Sequence, residues 1–167
     1  MTHMPPLKIE RLTPEAFAPF GRVLTQPTAP SEAPGRLDLD VWFHISDLLG
    51  LEAQNPAFTF LTVKRHDTPL NQIERHCRTA EFFIPLQGES VIMVAPVSDP
   101  NDPDALPDEA HIHAFHLDGS AAIALPRGGW HWAPVPLGEQ ATFLLLFDRD
   151  ILNDIQIREI ATQTLTR

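Results

Sequence analysis

The stretch IERHCRTAEFFIPLQGE, residues 73–89, decides how this sequence is interpreted. It combines one histidine, one cysteine, three glutamates and two arginines with the apolar run FFIPL. Side chains two positions apart on a strand share a face. Glu74 and His76 are therefore predicted to point one way, and Arg75 and Cys77 the other.

The residues after this strand predict a change of direction. Positions 78–80 can form a tight turn, after which Glu81 opens a second strand that folds back beside the first. This hairpin would bring Glu74, His76 and Glu81 within reach of one point. Gly88 then suits the next turn, because glycine adopts turn conformations at little steric cost.

A second informative segment, LPRGGWHWAP, covers residues 125–134. Pro126, Gly128 and His131 have the spacing P-x-G-x-x-H. Proline and glycine at these positions predict a turn, and His131 is predicted to begin the strand that follows.

Charge and composition limit the classes of function. The chain has 22 acidic and 12 basic residues, a net charge of −10, which disfavours nucleic acid or an anionic membrane as a partner. Cys77 is the only cysteine, so an internal disulfide is excluded and a reducing setting is favoured. The start, MTHMPPLKIERL, lacks the apolar run of a signal peptide, and no stretch approaches the ~18 apolar residues of a membrane span. We therefore expect a cytoplasmic protein.

The remaining sequence predicts one β-rich domain over residues 1–167. Seventeen prolines favour many turns between short strands, as in a sandwich or barrel. Thr13 and Pro14 predict the start of one short helix that ends near Gly21. The segments that resemble strands are LDLDVWFHI (37–45), FTFLTV (58–63), SVIMVAPV (90–97), HIHAFHL (111–117), AAIAL (121–125) and ATFLLLF (141–147). IQIREI (155–160) fits a strand or a final helical turn.

Together the segments at 73–89 and 125–134 resemble the two motifs of the cupin superfamily. The first motif reads H-x-H, three or four residues, E, six residues, G, and the second reads P-x-G-x-x-H. The resemblance implies a mainly β, cupin-like double-stranded β-helix barrel with a short N-terminal helix. It also implies a metal inside the barrel, with ligands at the matching positions Glu74, His76, Glu81 and His131; Glu74 stands where the motif has its first histidine.

Nearly the whole chain is also similar to the ureidoglycolate lyase family, which is cupin-like. The similarity includes KIERLTPEAFAPFGRVL, IERH…FFIPLQGE…VAP and AFHLDG…GGWHW…L…FLLLFDR. It implies cleavage of ureidoglycolate to glyoxylate and urea in allantoin catabolism, and a homodimer. Three departures fall where the family's pocket would be: a glutamine has become Glu81, an asparagine–tyrosine pair is missing, and a second histidine has become Trp132.

The substrate explains why these groups would be needed. Ureidoglycolate carries a carboxylate, a hydroxyl and a urea substituent on one carbon, so lysis requires a base for the hydroxyl proton and an acid for the leaving urea. One of the carboxylates among the expected ligands is an alternative base. A donor set of two imidazoles and two carboxylates favours a divalent ion such as Ni, Mn, Fe or Zn.

Other side chains are predicted to bind the small anionic hydroxy-carboxylate substrate. An arginine suits a two-point contact with its carboxylate. Strand parity makes Arg75 the weakest candidate for this clamp. The predicted substrate-binding residues are Arg65, Arg127, His44, Trp130 and Trp132, with His44 also fitting a strand edge and the tryptophans also fitting core.

Two other patterns have simpler explanations. His111 and His113 mimic a ligand pair, but no glutamate follows at cupin spacing, so an exposed strand is favoured. Cys77 is adjacent to His76 and is predicted to face away from it, which disfavours a thiol–imidazole dyad. Two other functions remain open: another metal-dependent cupin enzyme, such as a sugar isomerase or dioxygenase, and a non-catalytic cupin that binds a small anion.

Overall fold

The computed structural model describes residues 5–25 and 54–167, together with the backbone of two short strands at 35–36 and 41–42. The described part is mainly β. In chain order the elements are β1 (Leu7–Arg11), α1 (Pro14–Phe17), β2 (Arg22–Leu24), β3 (Gly35–Arg36), β4 (Val41–Trp42), β5 (Pro56–Lys64), β6 (Leu70–His76), β7 (Glu81–Gln87), β8 (Ser90–Ala95), β9 (His113–Leu117), β10 (Ala122–Leu125), β11 (Trp130–His131), β12 (Val135–Pro136), β13 (Gln140–Asp148), β14 (Ile155–Gln163) and β15 (Leu165–Thr166). Short 3-10 turns lie at Glu109–His111 and Ile151–Asn153.

The strands form two large sheets. One has the order β14-β6-β11-β8-β9-β1-β15, with β12 also paired to β8, and the other has the order β2-β10-β7-β13-β5. From β5 to β13 the chain passes back and forth between the two sheets. This is the connectivity of a jelly roll, the architecture to which cupins belong. The predicted mainly β, cupin-like barrel with a short N-terminal helix is confirmed.

Alternation along the strands separates two apolar clusters. The main core lies between the sheets and takes Ile92 and Val94 from β8 and Phe83 from β7. A second cluster uses the opposite face of the larger sheet, where Met93 and Trp130 pack together. Neighbouring strand residues face opposite sides of a sheet. A side chain that belongs to one of the two clusters therefore shows which face of the sheet its neighbours along the strand occupy.

Most predicted elements are found close to their expected bounds. Thr13 is the N-cap of α1, and its hydroxyl accepts a hydrogen bond from the Ala16 amide at 3.2 Å. The 155–160 segment belongs to strand β14. The 111–117 segment divides into a 3-10 turn followed by β9. Of the 37–45 segment, only positions 41–42 lie within the described residues, and these form β4.

The predicted hairpin between β6 and β7 is wrong. β6 pairs with β11 and β14, whereas β7 pairs with β10 and β13 in the other sheet. Residues 77–80 therefore cross from one sheet to the other. Glu74, His76 and Glu81 still approach one another, because they lie on the inner faces of opposed sheets.

In residues 5–25 and 54–167, no helix is long and apolar enough to cross a membrane. The assignment of residues 1–167 to one domain stays a prediction.

Candidate metal centre

Four of the predicted site residues meet inside the barrel. His76 is the last residue of β6, Glu81 is the first residue of β7, and His131 on β11 pairs in register with Glu74 on β6. Glu81 lies two positions before Phe83 and so shares its face of β7, and His131 pairs with Val94 on β8. Phe83 and Val94 both belong to the main core. The site is therefore on the inner surface, at the crossing from β6 to β7.

The distances within this group are short. His131 Nε2 lies 3.0 Å from Glu81 Oε2 and 3.8 Å from Glu74 Oε1. His76 Nε2 lies 3.5 Å from the same Glu81 oxygen. The two imidazole centroids are 5.4 Å apart. Two ring nitrogens and two carboxylates thus converge in one small volume.

Backbone carbonyls orient both imidazoles. His76 Nδ1 lies 3.0 Å from Asp154 O, and His131 Nδ1 lies 3.1 Å from Gly129 O. A carbonyl oxygen only accepts, so each Nδ1 carries the proton and donates it. Each ring therefore turns its Nε2 atom towards the centre of the site. This is the arrangement that holds metal-binding histidines in place.

Two atoms of the site are buried without a hydrogen-bond partner: Glu81 Oε2 and His131 Nε2. They lie 3.0 Å apart, within the distance of an ion pair. Two buried lone pairs facing each other are unfavourable unless a proton or a cation lies between them. The donor set therefore fits a bound cation.

The electrostatics of these residues agree with this geometry. Burial would raise the pKa of Glu81, but the adjacent imidazoles of His131 and His76 outweigh it and lower the pKa to about 2. Burial would lower the pKa of His131, but the nearby carboxylates of Glu81 and Glu74 outweigh it and raise the pKa. The site thus favours a positive charge between its carboxylates, whether on His131 or on a bound metal ion.

Three of the four residues are close enough together to hold a metal ion. The ligand atoms of Glu74, His76 and His131 all lie within 4.8 Å of one another. A divalent metal is therefore consistent with the fold and with these residues. Glu81, the fourth predicted ligand, contacts both imidazoles from the opposite sheet.

Glycines shape one turn in each of the two motif segments. Gly88 and Gly128 have φ of 77° and 79°, a region that side chains rarely adopt. A Cβ on Gly128 would lie 2.2 Å from Ser98 O, and one on Gly88 would lie 2.3 Å from Gln140 O. The two motif glycines are thus required by backbone conformation and by close approach of neighbouring chain.

The predicted arginine clamps lie at different distances from the site. Arg127 is half-buried on the turn between β10 and β11, and its Nε donates to Cys77 O at 3.0 Å, one residue beyond His76. Arg65 is exposed beyond β5, and its amide donates to Glu139 O. That end of β13 pairs with the end of β7, about 20 Å along the strand from Glu81. Arg65 is therefore not brought to the imidazoles.

The tryptophans face away from the site. Trp130 is 0% exposed and belongs to the second cluster, against which Trp132 also packs. They flank His131 on a strand and so occupy the opposite face. Their interpretation as core residues fits the structure better than substrate binding. His44 lies outside the described residues.

Arg75 is also on the outer face, as strand parity predicted. Its side chain is fully buried and contacts Trp130 and Ser98 rather than the barrel interior. Cys77 is buried, and desolvation raises the pKa of its thiol, which does not suit a nucleophile. His111 Nδ1 pairs with Asp108 at 2.8 Å and His113 Nδ1 with Glu10 at 2.6 Å, so these two imidazoles have separate partners.

Sequence reasoning missed Asp154. Its carbonyl orients His76, and its carboxylate accepts from the Arg78 amide at 2.6 Å. It lies 78 residues after His76 and acts through a backbone atom, so no residue pattern in the sequence could have indicated it.

Comparisons of the sequence with known proteins agree on one family. A family model described as ureidoglycolate lyase matches residues 4–166. Ureidoglycolate lyase of Burkholderia mallei (strain NCTC 10229) is 30% identical over 150 residues, which are 86% of this chain and 82% of that protein. Ureidoglycolate lyase of Pseudomonas aeruginosa (strain LESB58) is 30% identical over 155 residues, covering 84% and 82%. The oxalate decarboxylase–formate complex of Lactobacillus farciminis aligns with a TM-score of 0.44 and 13% identity over 62% of this chain and 26% of that one.

Proposed function

The chain belongs to the ureidoglycolate lyase family, and from this premise we propose that it cleaves ureidoglycolate to glyoxylate and urea. The enzyme is a lyase, and its reaction would break the bond between the carbinol carbon and the urea nitrogen. Family membership does not favour a sugar isomerase, a dioxygenase or a non-catalytic anion binder.

One observation carries the proposal. His76 and His131, from the two cupin-like motifs, approach Glu74 and Glu81 inside the barrel, with His131 Nε2 3.0 Å from Glu81 Oε2. A buried cluster of this composition is costly unless it binds a cation or performs chemistry. Enclosure of the cluster would also keep water from competing with a small anionic substrate.

Glu74, His76 and His131 would hold a divalent metal ion, with Glu81 completing its surroundings. When bound, such an ion would supply Lewis acidity that lowers the pKa of the substrate hydroxyl and orients the substrate. Imidazole with carboxylate suits ions of borderline softness. Ni is our first candidate, and Zn, Mn and Fe are the alternatives.

We assign the proton transfers to Glu74, whose second carboxylate oxygen would stay available as a base while the first holds the metal ion. Its side chain is 21% exposed, against 8% for Glu81, so it is the carboxylate more open to a substrate. Glu74 would accept the hydroxyl proton while the carbon–oxygen double bond forms and the carbon–nitrogen bond breaks. The same proton would then pass to the urea nitrogen, so that glyoxylate and urea leave without net proton uptake.

Arg127 is the proposed clamp for the substrate carboxylate. It lies on the turn that leads to His131, and its contact with Cys77 O keeps its stem next to the end of β6. A guanidinium can hold a carboxylate by two parallel hydrogen bonds. This contact would orient the carbinol carbon with respect to Glu74.

The test is release of product from ureidoglycolate. Purified protein loaded in turn with Ni, Zn, Mn or Fe is incubated with ureidoglycolate, and both glyoxylate and urea are measured. We expect equal amounts of the two products, loss of activity on exhaustive chelation, and recovery when the ion is restored. Absence of both products with every ion would overturn the lyase assignment; full activity after chelation would remove the metal from it.

We also propose a homodimer, formed through the smaller sheet. Its edge strand β5 carries Phe58 and Phe60, which are 70% and 68% exposed. Large exposed apolar side chains on a sheet edge mark interaction surfaces. Because each copy carries a net charge of −10, an apolar patch is a favourable place for two copies to meet.

The cellular setting and partners follow from the same premise. We propose a cytoplasmic enzyme whose partner is a small anionic hydroxy-carboxylate, with neither nucleic acid nor a membrane as a partner. The acidic net charge and the single buried cysteine support this.

A further inference from the structure

The structure contains a fully buried arginine that the proposed chemistry does not use. Arg75 lies on β6 between Glu74 and His76 but faces the outside of the barrel wall, and it is 0% exposed. A buried cation is costly unless all its donors are satisfied. Its position directly behind two proposed ligands raises the question of what it stabilises.

All five N–H donors of the guanidinium can be matched with an acceptor. Its Nε and one terminal nitrogen donate to Gln156 Oε1, at 3.0 and 2.7 Å. The other terminal nitrogen donates to Ser98 Oγ at 2.7 Å and to Asp99 O at 3.1 Å. The fifth bond goes to Asp102 O. Five donors and five bonds make a complete set, and each of these acceptors is neutral.

The same group reaches strand β11. The guanidinium carbon lies 4.8 Å from the centre of the Trp130 ring, in the range of a cation–π contact. Trp130 Nε1 donates to Ser98 Oγ at 2.9 Å, so one hydroxyl oxygen accepts from both Arg75 and Trp130. We call these three residues, Arg75, Ser98 and Trp130, the outer clamp.

Strand β11 needs such support because it is very short. It has only two residues, and its pairing with β6 consists of His131 opposite Glu74. Nearby backbone bonds from Gly128 N to His76 O at 2.7 Å and from Ser98 N to Gly128 O at 3.2 Å tie the preceding turn to β6 and to the Ser98 loop. The outer clamp adds side-chain contacts at the same junction, on the face opposite the imidazoles.

We infer that Arg75, Ser98 and Trp130 are positioning residues that hold β11 against β6, and thereby hold His131 opposite Glu74 and His76. This inference rests on the proposed function, since it assigns the clamp to that metal centre. The clamp acts through the backbone, because its members lie on the other face of the strands from the ligands. Loss of it would let β11 shift while the ligand side chains stay chemically intact.

The first test uses metal-free protein and backbone amide hydrogen exchange. Ser98→Ala removes the shared acceptor, and Arg75→Lys removes the planar fork. Arg158→Lys is the matched control, since Arg158 also bonds a carbonyl of the neighbouring loop, Pro103 O at 2.8 Å, without contacting the clamp. We expect the Gly128 amide, which bonds His76 O on β6, to exchange about tenfold faster or more in Ser98→Ala and Arg75→Lys. Wild-type exchange in Ser98→Ala would overturn the inference, even if Arg75→Lys fails to fold.

The second test is the affinity for Ni²⁺, measured by calorimetry. Outer residues that orient metal ligands typically contribute about 10- to 100-fold in affinity, so we expect a loss of that size in Ser98→Ala and none in Arg158→Lys. Equal affinities in Ser98→Ala and wild type would overturn the positioning role. If wild type takes up no ion, the proposed metal centre fails, and the exchange comparison alone decides whether the clamp holds β11. Neither measurement uses ureidoglycolate, so failure of the lyase assignment is recognised separately.

Discussion

His76 and His131 lie 55 positions apart in the chain, yet their ring centroids are 5.4 Å apart and Glu81 Oε2 lies within 3.5 Å of Nε2 on both rings. Each ring donates its Nδ1 proton to a backbone carbonyl. The two rings therefore face one carboxylate oxygen with their Nε2 atoms. This arrangement supports the proposal that the site binds a cation.

Replacing His131 with Gln should abolish metal binding and lyase activity. The change removes Nε2, the proposed ligand atom of His131, which lies 3.0 Å from Glu81 Oε2. Metal content by mass spectrometry and urea release provide the measurement. His116→Gln is the control, because that imidazole pairs with Glu89 at 2.9 Å on the sheet surface. Equal metal content in the two variants would contradict the assignment of His131 as a ligand.

Replacing Glu74 with Gln should lower kcat by about 100- to 10,000-fold, the usual contribution of a general base. The amide keeps the size of the side chain and one oxygen for the metal ion but cannot accept the hydroxyl proton, so kcat is compared at equal metal content. Glu89→Gln, a change on the surface partner of His116, should leave kcat unchanged. A normal kcat in Glu74→Gln would move proton transfer to another residue.

The stability of the metal-free protein should depend on pH through the pair His131–Glu81. The folded pKa of His131 is raised above 6.5, so its contribution is present below that value and is lost as pH rises through the folded pKa. The folded pKa of Glu81 is lowered from 4.5 to about 2, so its contribution is present above 4.5 and is lost as pH falls towards 2.

Thermal unfolding of chelated protein checks this dependence. We expect the difference in Tm between wild type and Glu81→Gln to be larger near pH 5.5 than near pH 8.5. Adding the metal should remove this trend, because protons compete with the ion for the imidazoles and binding strengthens as pH rises. A difference in Tm that does not change with pH would mean that the pair is not charged in the metal-free protein.

Replacing Gly128 with Ala should destabilise the protein by more than about 2 kcal/mol. A left-handed φ costs a side chain roughly 1–2 kcal/mol, and the new Cβ would also lie 2.2 Å from Ser98 O. Gly119→Ala measures the conformational cost alone, since Gly119 has φ of 90° and nothing lies within 4 Å of its Cβ position. Denaturant unfolding of both variants is the measurement. Equal losses would show that the close approach to Ser98 contributes nothing.

Replacing Phe58 and Phe60 with Lys should convert the proposed dimer into monomers. Both side chains are mostly exposed on β5, so the change should not disturb the core, while a charged patch would oppose association. Sedimentation of wild type and variant gives the oligomeric state. Leu106→Lys, at another exposed apolar position in the acidic loop, is the control. A monomeric wild type would refute the homodimer, and a variant that stays dimeric would move the interface elsewhere.

The sequence by itself determined the local features of the site. Strand parity correctly assigned Glu74 and His76 to one face and Arg75 to the other, because a period of two residues is a property of any strand. The glycine of each motif was predicted at a turn, and both have the left-handed φ that excludes most side chains. The family resemblance supplied the set of residues that converge.

Only the tertiary structure decided which elements meet. Glu81 reaches His76 across the barrel rather than along a hairpin, because strand pairing depends on the burial of whole sheet faces and not on the turn alone. The same cause gave Arg75 a buried partner in Ser98. It also assigned the carbonyls of Asp154 and Gly129 to the imidazoles, since a backbone acceptor has no signature in the identity of its residue.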